Sequence, residues 1–173
     1  MKLFIENDVQ ATPMSAIAKA AKTGMGTIYN YFATKEELIN SIFIYIKLDQ
    51  HKHITKTFTN ESIKKQFEYY YLSFNQFLLN NPSYFFFIDQ FENSPILTKK
   101  TKEEGMSIIQ PITDVLLKGQ EQGIIKSMSI EELIEFLNGG IMGFIGWVLT
   151  NKKSNRDQLL KNQLKLAWDA VKD

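Results

Sequence analysis

Apolar residues recur at helical spacing throughout this chain of 173 residues, and no segment sustains the alternation of a half-buried β-strand. One apolar stripe runs from Leu38 to Ile46, and a wider, aromatic stripe runs from Ile63 to Leu78. A third stripe, from Leu160 to Val171, marks the last helix. The sequence therefore predicts an all-α fold.

Start and stop signals lie at the ends of these stripes. Thr34 with Glu37, and Ser129 with Glu132, have the spacing of capping boxes. Three prolines directly follow a capping residue, as at many helix starts: Pro13, Pro82 and Pro95. The predicted helices cover about 2–7, 13–21, 25–32, 35–52, 61–80, 82–91, 96–122, 130–150 and 155–172, with a break near Gly105 or Pro111 and a stop at Gly123.

Helix length changes sharply near residue 45, which predicts two units. The first, residues 1–45, contains short helices, and the second, residues 46–173, contains long ones. We interpret the first as a three-helix unit and the second as a larger helical domain.

Composition narrows the class of protein. The chain is 44% apolar and 23% charged and has no cysteine, as expected of a globular cytoplasmic protein. Its longest apolar run, Ile141–Leu149, is about half of the ~20 residues that a membrane span needs, so no membrane association is expected. The net charge of +1 excludes a generally basic nucleic-acid coat. Residues 1–35 carry four lysines against two acidic residues, which fits a small phosphate-facing patch and fits chance equally well.

Residues 12–32 have the pattern of a helix-turn-helix. Thr12 precedes one short helix, and a tight connection around Lys22–Gly24 leads to a second that ends at Phe32. In a helix of this length, Ile28 and Phe32 share one side. The opposite side is small and polar, with Gly26 and Asn30 at its centre, and such groups bind phosphate oxygens or base edges.

Two other interpretations of this segment deserve comparison. Tyrosines on a short helix are commonly half-buried packing residues, and Tyr29 and Tyr31 fit that role as well. A nucleotide-binding glycine loop is excluded, because Tyr29 occupies the place of the third glycine and no strand precedes it.

The segment "ATPMSAIAKAAKTGMGTIYNYFATKEELI", residues 11–39, resembles the DNA-binding domain of tetracycline-repressor (TetR) family regulators. The matching positions are Thr12, Ile17, Ala18, Thr27, Ile28, Tyr29, Tyr31, Phe32, Lys35, Glu36, Glu37 and Leu38. The resemblance implies a DNA-contacting surface and a small core of Ile17, Ile28, Phe32 and Leu38. The expected DNA-binding residues are Met25, Gly26, Thr27, Tyr29, Asn30, Tyr31 and Lys35, the last as a phosphate contact. For Tyr31, partial burial remains an alternative.

Two positions depart from the family pattern. Lys22 stands where the family turn usually has glycine, so a lysine must adopt that backbone or the turn must differ. The family's first helix normally begins about ten residues earlier, whereas only Met1–Asp8 precede the motif here, with Leu3, Phe4 and Ile5 expected to pack on the helix-turn-helix. A truncated start or impaired DNA binding would follow from so short a helix.

The larger unit shows no pattern typical of an enzyme. His51 and His53 are the only histidines, and on a helix they point about 200° apart, which disfavours a shared metal ion. Ser-His-Asp sets, paired-carboxylate pockets and phosphate loops are not evident. We therefore expect no catalytic residue, metal or cofactor.

Aromatic residues are unusually dense in the larger unit. They either pack solid or enclose an apolar cavity, and the resemblance favours a cavity that senses a small hydrophobic effector. The expected lining residues are Phe67, Tyr71, Phe74, Phe87, Phe91, Met106, Ile109 and Phe136.

The segment 136–149 predicts a subunit interface. Gly139, Gly143 and Gly146 line one face of a helix that is apolar on its other sides. Each glycine costs about 1 kcal/mol against alanine, which close helix approach would offset. Together with the last helix this predicts a homodimer through four helices, with a membrane hairpin as the alternative that the short run disfavours. The expected interface residues are Gly139, Gly143, Gly146, Trp147, Leu160, Leu164 and Trp168.

The resulting hypothesis is a homodimeric, ligand-responsive transcriptional regulator, a repressor that acts on a palindromic double-stranded DNA operator and is released by a small hydrophobic effector. The alternative is a dimeric apolar-ligand-binding or interaction protein that lacks DNA-binding activity because its first helix is incomplete.

Overall fold

The computed structural model describes residues 1–7, 9 and 11–173, and the predicted all-α fold is confirmed. Within these ranges the only strand-like pairing is an isolated bridge between Ile125 and Lys172. The helices are α1 (Lys2–Glu6), α2 (Met14–Ala20), α3 (Met25–Tyr31), α4 (Lys35–Ile54), α5 (Ile63–Asn80), α6 (Pro82–Phe91), α7 (Lys99–Ile108), α8 (Gln110–Glu121), α9 (Ile130–Thr150) and α10 (Arg156–Val171).

The capping signals form the bonds expected of them at two helix starts. Ser129 and Glu132 make both hydrogen bonds of a capping box at the start of α9. At the start of α4, Thr34 accepts the Glu37 backbone N–H at 3.1 Å. The Glu37 carboxylate accepts instead from Ala33 N–H at 2.7 Å, one residue before the position that a capping box uses.

The predicted helix over 96–122 is divided between α7 and α8, as Pro111 indicated, but its predicted start is wrong. Ser94 and Pro95 form a turn in which the serine hydroxyl accepts the Ile96 N–H at 3.2 Å. The helix begins at Lys99 because Thr98 caps it, accepting the Thr101 N–H at 3.1 Å. Asn40 of α4 holds this turn in place from a distance along the chain. Its side chain donates to Ile96 O at 2.9 Å and accepts from Thr98 N at 3.0 Å.

Three helix ends share one backbone conformation. Gly123, Lys22 and Lys152 have φ values of +63°, 54° and 49°, in the left-handed region that favours glycine. After α2, Thr23 N–H bonds Ala18 O at 3.0 Å and Lys22 N–H bonds Lys19 O at 3.1 Å, which is the Schellman pattern. The turn therefore keeps its left-handed backbone, and a lysine occupies it.

The core has a large and a small part. Helices α4 to α10 surround an extensive apolar cluster that includes Ile46, Leu78, Leu116 and Ile145. The α2–α3 pair has its own small cluster of Met14, Ala18 and Ile28, against which Ile17 and Phe32 pack. Ile17 also contacts the large cluster, so the two cores meet along one side of α2.

Helix α1 packs on α6 rather than on the helix-turn-helix, contrary to expectation. Phe4 is 1% exposed, and its ring meets the edge of Phe91 with 6.4 Å between centroids. Phe4 is the buried residue of this 5-residue helix, and it belongs to the large apolar cluster, against which Ile5 also packs. Asp8, which entered the charge comparison, lies outside the described residues.

Candidate DNA-binding surface and ligand cavity

Helices α2 and α3 form a helix-turn-helix whose outer face is open to solvent. Ile28 is buried against Met14 and Ala18, so the opposite side of α3 points outward. Six of the predicted DNA-binding residues are exposed on α3: Met25, Gly26, Thr27, Tyr29, Asn30 and Tyr31. Tyr31 is 76% exposed, so the structure does not bury it as the alternative interpretation expected. The exposed face presents two phenols, a hydroxyl and an amide to a partner.

Lys35, the seventh predicted residue, lies at the first position of α4 beside this face. Its ammonium donates to the carbonyl oxygen of Val9 at 2.7 Å, and the side chain is partly buried. This bond ties the start of α4 to the segment between α1 and α2. Lys19 and Lys22, at the end of α2 and in the turn, are exposed and add positive charge near α3.

A cavity of about 370 Å³ lies among α4, α5, α7, α8 and α9. Five of the eight residues expected to line it do so: Phe67, Tyr71, Phe74, Met106 and Ile109. Burial raises the pKa of Tyr71 to about 12. The aromatic residues of α5 thus form a wall of this cavity as well as part of the solid core.

Phe87, Phe91 and Phe136 lie elsewhere than the cavity for which they were expected. Phe87 and Phe91 are fully buried, with their rings 4.6 Å apart, on the side of α6 that receives α1. Phe136 is 58% exposed on α9. Apolar spacing indicates that a side chain is buried, but it does not tell which of several faces or neighbours the side chain meets.

The polar residues of the cavity were not predicted from the sequence. Lys47 and Glu92 form an ion pair across 3.6 Å, and the Glu92 carboxylate also accepts from the Asn138 amide at 3.2 Å. The Lys47 ammonium lies 5.2 Å from the centre of the Phe43 ring. A lysine four residues after Phe43, on the buried stripe of α4, was the available signal for these residues.

Gly105 brings α7 close to α4 at the cavity. A Cβ atom built on Gly105 would lie 3.0 Å from the Phe43 ring and 3.8 Å from Lys47 Cγ. A larger residue would therefore push the two helices apart where both line the cavity.

The predicted dimer residues divide between an exposed face and the protomer core. Among the described residues no atom lies within 4 Å of a Cβ built on Gly139 or Gly143, and Trp147 is 45% exposed on the same helix. A Cβ on Gly146 would instead meet Phe85 at 3.3 Å, inside the protomer. On α10, Leu160 is buried, Leu164 is half-buried, and Trp168 packs on Phe67 with 5.3 Å between ring centroids.

Phe136, Gly139, Gly140, Gly143 and Trp147 follow one another at helical spacing along the exposed side of α9. Leu166, 63% exposed, extends this apolar surface onto α10. We call these six residues the α9–α10 face.

Helix α9 is long and apolar enough to cross a membrane by length and composition, and 33% of that stretch is buried. Its other sides contact α5, α6, α8 and α10, as a core helix does. The two histidines make separate hydrogen bonds, His51 with Ile108 O at 2.9 Å and His53 with Asp49 O at 2.7 Å. Across the part of the chain that the structure describes, no three potential ligands cluster to hold a metal ion.

Comparison with known proteins identifies the family of the chain. The family profile "Bacterial regulatory proteins, tetR family" matches residues 1–42, and the profile "Tetracyclin repressor-like, C-terminal domain" matches residues 43–173. The uncharacterized HTH-type transcriptional regulator YhgD of Bacillus subtilis is 48% identical over 42 residues. That segment is 24% of this chain and 22% of the relative, so the likeness spans less than a quarter of either protein.

Solved structures share the whole fold. A TetR family transcription regulator from Marinobacter aquaeolei has a TM-score of 0.88 at 22% identity, covering 99% of this chain and 91% of its own. The fatty acid degradation regulator FadR of Bacillus halodurans has a TM-score of 0.72 at 18% identity, covering 96% and 92%. At identities of 22% and 18%, the likeness to these structures shows a shared fold and no more.

Proposed function

Because the chain belongs to the tetracycline-repressor family of bacterial transcriptional regulators, we propose that it represses transcription as a homodimer on near-palindromic operator DNA and that a small hydrophobic effector releases it. The observation that carries the proposal is the exposed face of α3 above a buried Ile28. The family suggests that the protein acts in the cytoplasm.

The chemistry of α3 suits DNA. Tyrosine, threonine and asparagine side chains donate to phosphate oxygens and to base edges, and Gly26 allows the backbone to approach the duplex. The α2–α3 pair has the arrangement in which the second helix enters the major groove. Met25, Gly26, Thr27, Tyr29, Asn30, Tyr31 and Lys35 are the residues that we assign to DNA.

The α9–α10 face supplies the dimer contact. It is apolar, it lies on two neighbouring helices, and its glycines let a second copy approach closely. A two-fold axis through this face would pair α9 and α10 of one protomer with those of its partner. The dimer would place two recognition helices about 34 Å apart, one turn of DNA.

Helix α4 connects the effector to DNA. It begins at Lys35, directly after the helix-turn-helix, and its middle lines the cavity through Phe43 and Lys47. An effector that moves these side chains moves the helix that carries α3. The resulting change in spacing between recognition helices lowers operator affinity.

The first prediction concerns Tyr29. Tyr29→Ala should weaken binding to a selected operator by about 1–3 kcal/mol, because it removes a contact to DNA and little packing. Fluorescence anisotropy on an operator recovered by in vitro selection measures the change. Tyr45→Ala is the matched control, since Tyr45 is also exposed but lies on α4.

If Tyr29→Ala and the wild type bind the operator with equal affinity and have the same circular dichroism, the proposal that α3 contacts DNA is wrong. If the wild-type protein selects no DNA sequence but is stabilised by apolar molecules, the alternative function applies, a dimeric ligand-binding protein without DNA activity.

A further inference from the structure

The cavity contains one internal ion pair in otherwise largely apolar surroundings. Lys47 and Glu92 line it together, with side chains 10% and 25% exposed. Lys102 and Glu135 also line it, but both are exposed residues. The internal pair and the exposed pair each sum to zero charge.

The two members of the internal pair are not joined by a hydrogen bond. Their nitrogen and oxygen are 3.6 Å apart, beyond the usual range for a hydrogen bond. Lys47 has three N–H donors, and the neighbour that the described residues offer besides Glu92 is the Phe43 ring. The Lys47 side chain is 10% exposed, and its ammonium makes no hydrogen bond to the described residues, so it can donate to an acceptor that enters the cavity.

We infer that the effector is a neutral molecule with an apolar body and one hydrogen-bonding oxygen, a hydroxyl or a ketone, and that Glu92 excludes carboxylates. The inference rests on the proposed function and specifies its ligand. The oxygen of such a molecule accepts from Lys47 and leaves the ion pair intact. Its apolar body packs against Phe67, Phe74 and Met106.

Charge balance excludes the ionic alternatives. A carboxylate that reaches Lys47 also faces Glu92, which leaves two negative charges and one positive charge in a poorly solvated space. An alkylammonium that reaches Glu92 faces Lys47 with the opposite imbalance. A neutral oxygen brings neither cost, and it supplies the acceptor that the ammonium lacks.

The test uses three probes with the same alkyl chain: decan-1-ol, decanoate and decylamine. Quenching of tryptophan fluorescence measures each affinity at pH 7.5, since Trp168 packs on Phe67 of the cavity wall. For the wild-type protein we expect decan-1-ol to bind at least tenfold more tightly than either ion. Glu92→Gln should reverse this preference and favour decanoate, because the uncharged amide leaves Lys47 without a counter-ion.

Two further variants locate the effect. Glu135→Gln is the matched control, since it removes a glutamate from the exposed part of the lining, and it should keep the wild-type preference. Lys47→Met in the Glu92→Gln background should abolish the new preference for decanoate. Melting temperatures establish that each variant is folded.

The outcomes separate this inference from the proposed function. Decanoate binding the wild type as tightly as decan-1-ol, or a preference unchanged in a folded Glu92→Gln, would overturn the neutral-ligand inference alone. Binding of decan-1-ol with the expected selectivity, but without effect on operator affinity, would overturn the regulatory role and leave the ligand class standing. Failure of all three probes to bind would overturn both.

Discussion

Single residues show where local backbone and sequence disagree. Lys22 holds a left-handed conformation at the end of α2, in the same Schellman pattern that Gly123 completes at the end of α8. At Gly123 the residue suits the backbone, whereas at Lys22 the Cβ atom crowds the following carbonyl. The left-handed conformation costs a residue with a Cβ about 1–2 kcal/mol.

Lys22→Gly should therefore raise the free energy of unfolding. Glycine relieves this crowding but loses about 0.5–1 kcal/mol through the greater freedom of the unfolded chain, so the net gain is about 0.5–1 kcal/mol. Urea denaturation measures it. Gly123→Ala provides the comparison and should lower stability by a similar amount; a Lys22→Gly variant that is less stable than the wild type would refute the assignment of strain.

Residue roles were predictable where one motif determines a whole face. The spacing of Ile28 and Phe32 identified the outer side of α3, and six of the seven residues expected there are exposed. The cavity was harder, because its lining combines parts of five helices whose relative placement depends on contacts distant in sequence. Phe91 meets Phe4 of α1 and Phe87 packs on Phe91, so neither lines the cavity, and no role was predicted for Lys47.

Among the helices, α9 has the most divided environment. One side packs on α5, α6 and α8, and the other exposes glycines and Trp147 on the α9–α10 face. Four glycines within one helix, Gly139, Gly140, Gly143 and Gly146, reduce its intrinsic stability, each by about 1 kcal/mol relative to alanine. A close partner at the exposed side would account for Gly139, Gly140 and Gly143, and Phe85 already accounts for Gly146.

Gly143→Leu should separate the subunits and leave the protomer folded. In the described protomer a Cβ at this position meets no atom within 4 Å, so the leucine clashes only with a second copy, at a cost of about 1–3 kcal/mol. Sedimentation velocity should show a shift from dimer to monomer with unchanged helical circular dichroism. The comparison is Gly146→Leu, which strikes Phe85 and should lower the melting temperature instead. A Gly143→Leu protein that remains dimeric would exclude this face as the interface.

Helix positions followed closely from capping and period, and the one displaced start has a physical cause. Ser94 and Pro95 look like a helix start, but Asn40 holds Ile96 and Thr98 in a turn through bonds across more than 50 positions. No local pattern reports such a bond. The start moves to Thr98, whose own cap is visible in the sequence once the turn is known.

At the scale of the molecule, the proposed regulation requires two sites that share one helix. Residues in the middle of α4 line the cavity, and the helix-turn-helix lies directly before the first turn of α4. The division of the chain near residue 45 remains a proposal. If α4 transmits effector binding to the operator-binding helix α3, the division near residue 45 falls inside the helix that connects the cavity with the helix-turn-helix.

Effector and operator should oppose each other by the same factor. A hydrophobic probe that raises the melting temperature should bind about 5–150-fold more weakly when the operator is present, which corresponds to about 1–3 kcal/mol of coupling. Thermodynamic linkage requires the operator to lose affinity by the same factor when the probe is present. Titrations in both directions measure it, and equal probe affinity with and without operator would show that the cavity and α3 are uncoupled.

The contact of Phe4 with Phe91 bears on how such proteins can exchange their parts. If the first unit ended at the boundary near residue 45 and made no contact beyond it, it could be joined to the larger unit of any relative. Here helix α1 inserts the ring of Phe4 into the core of the larger unit, where Phe4 is 1% exposed. We therefore expect a chimera of two relatives to fold well only when the side chains of its α1 and α6 fit each other.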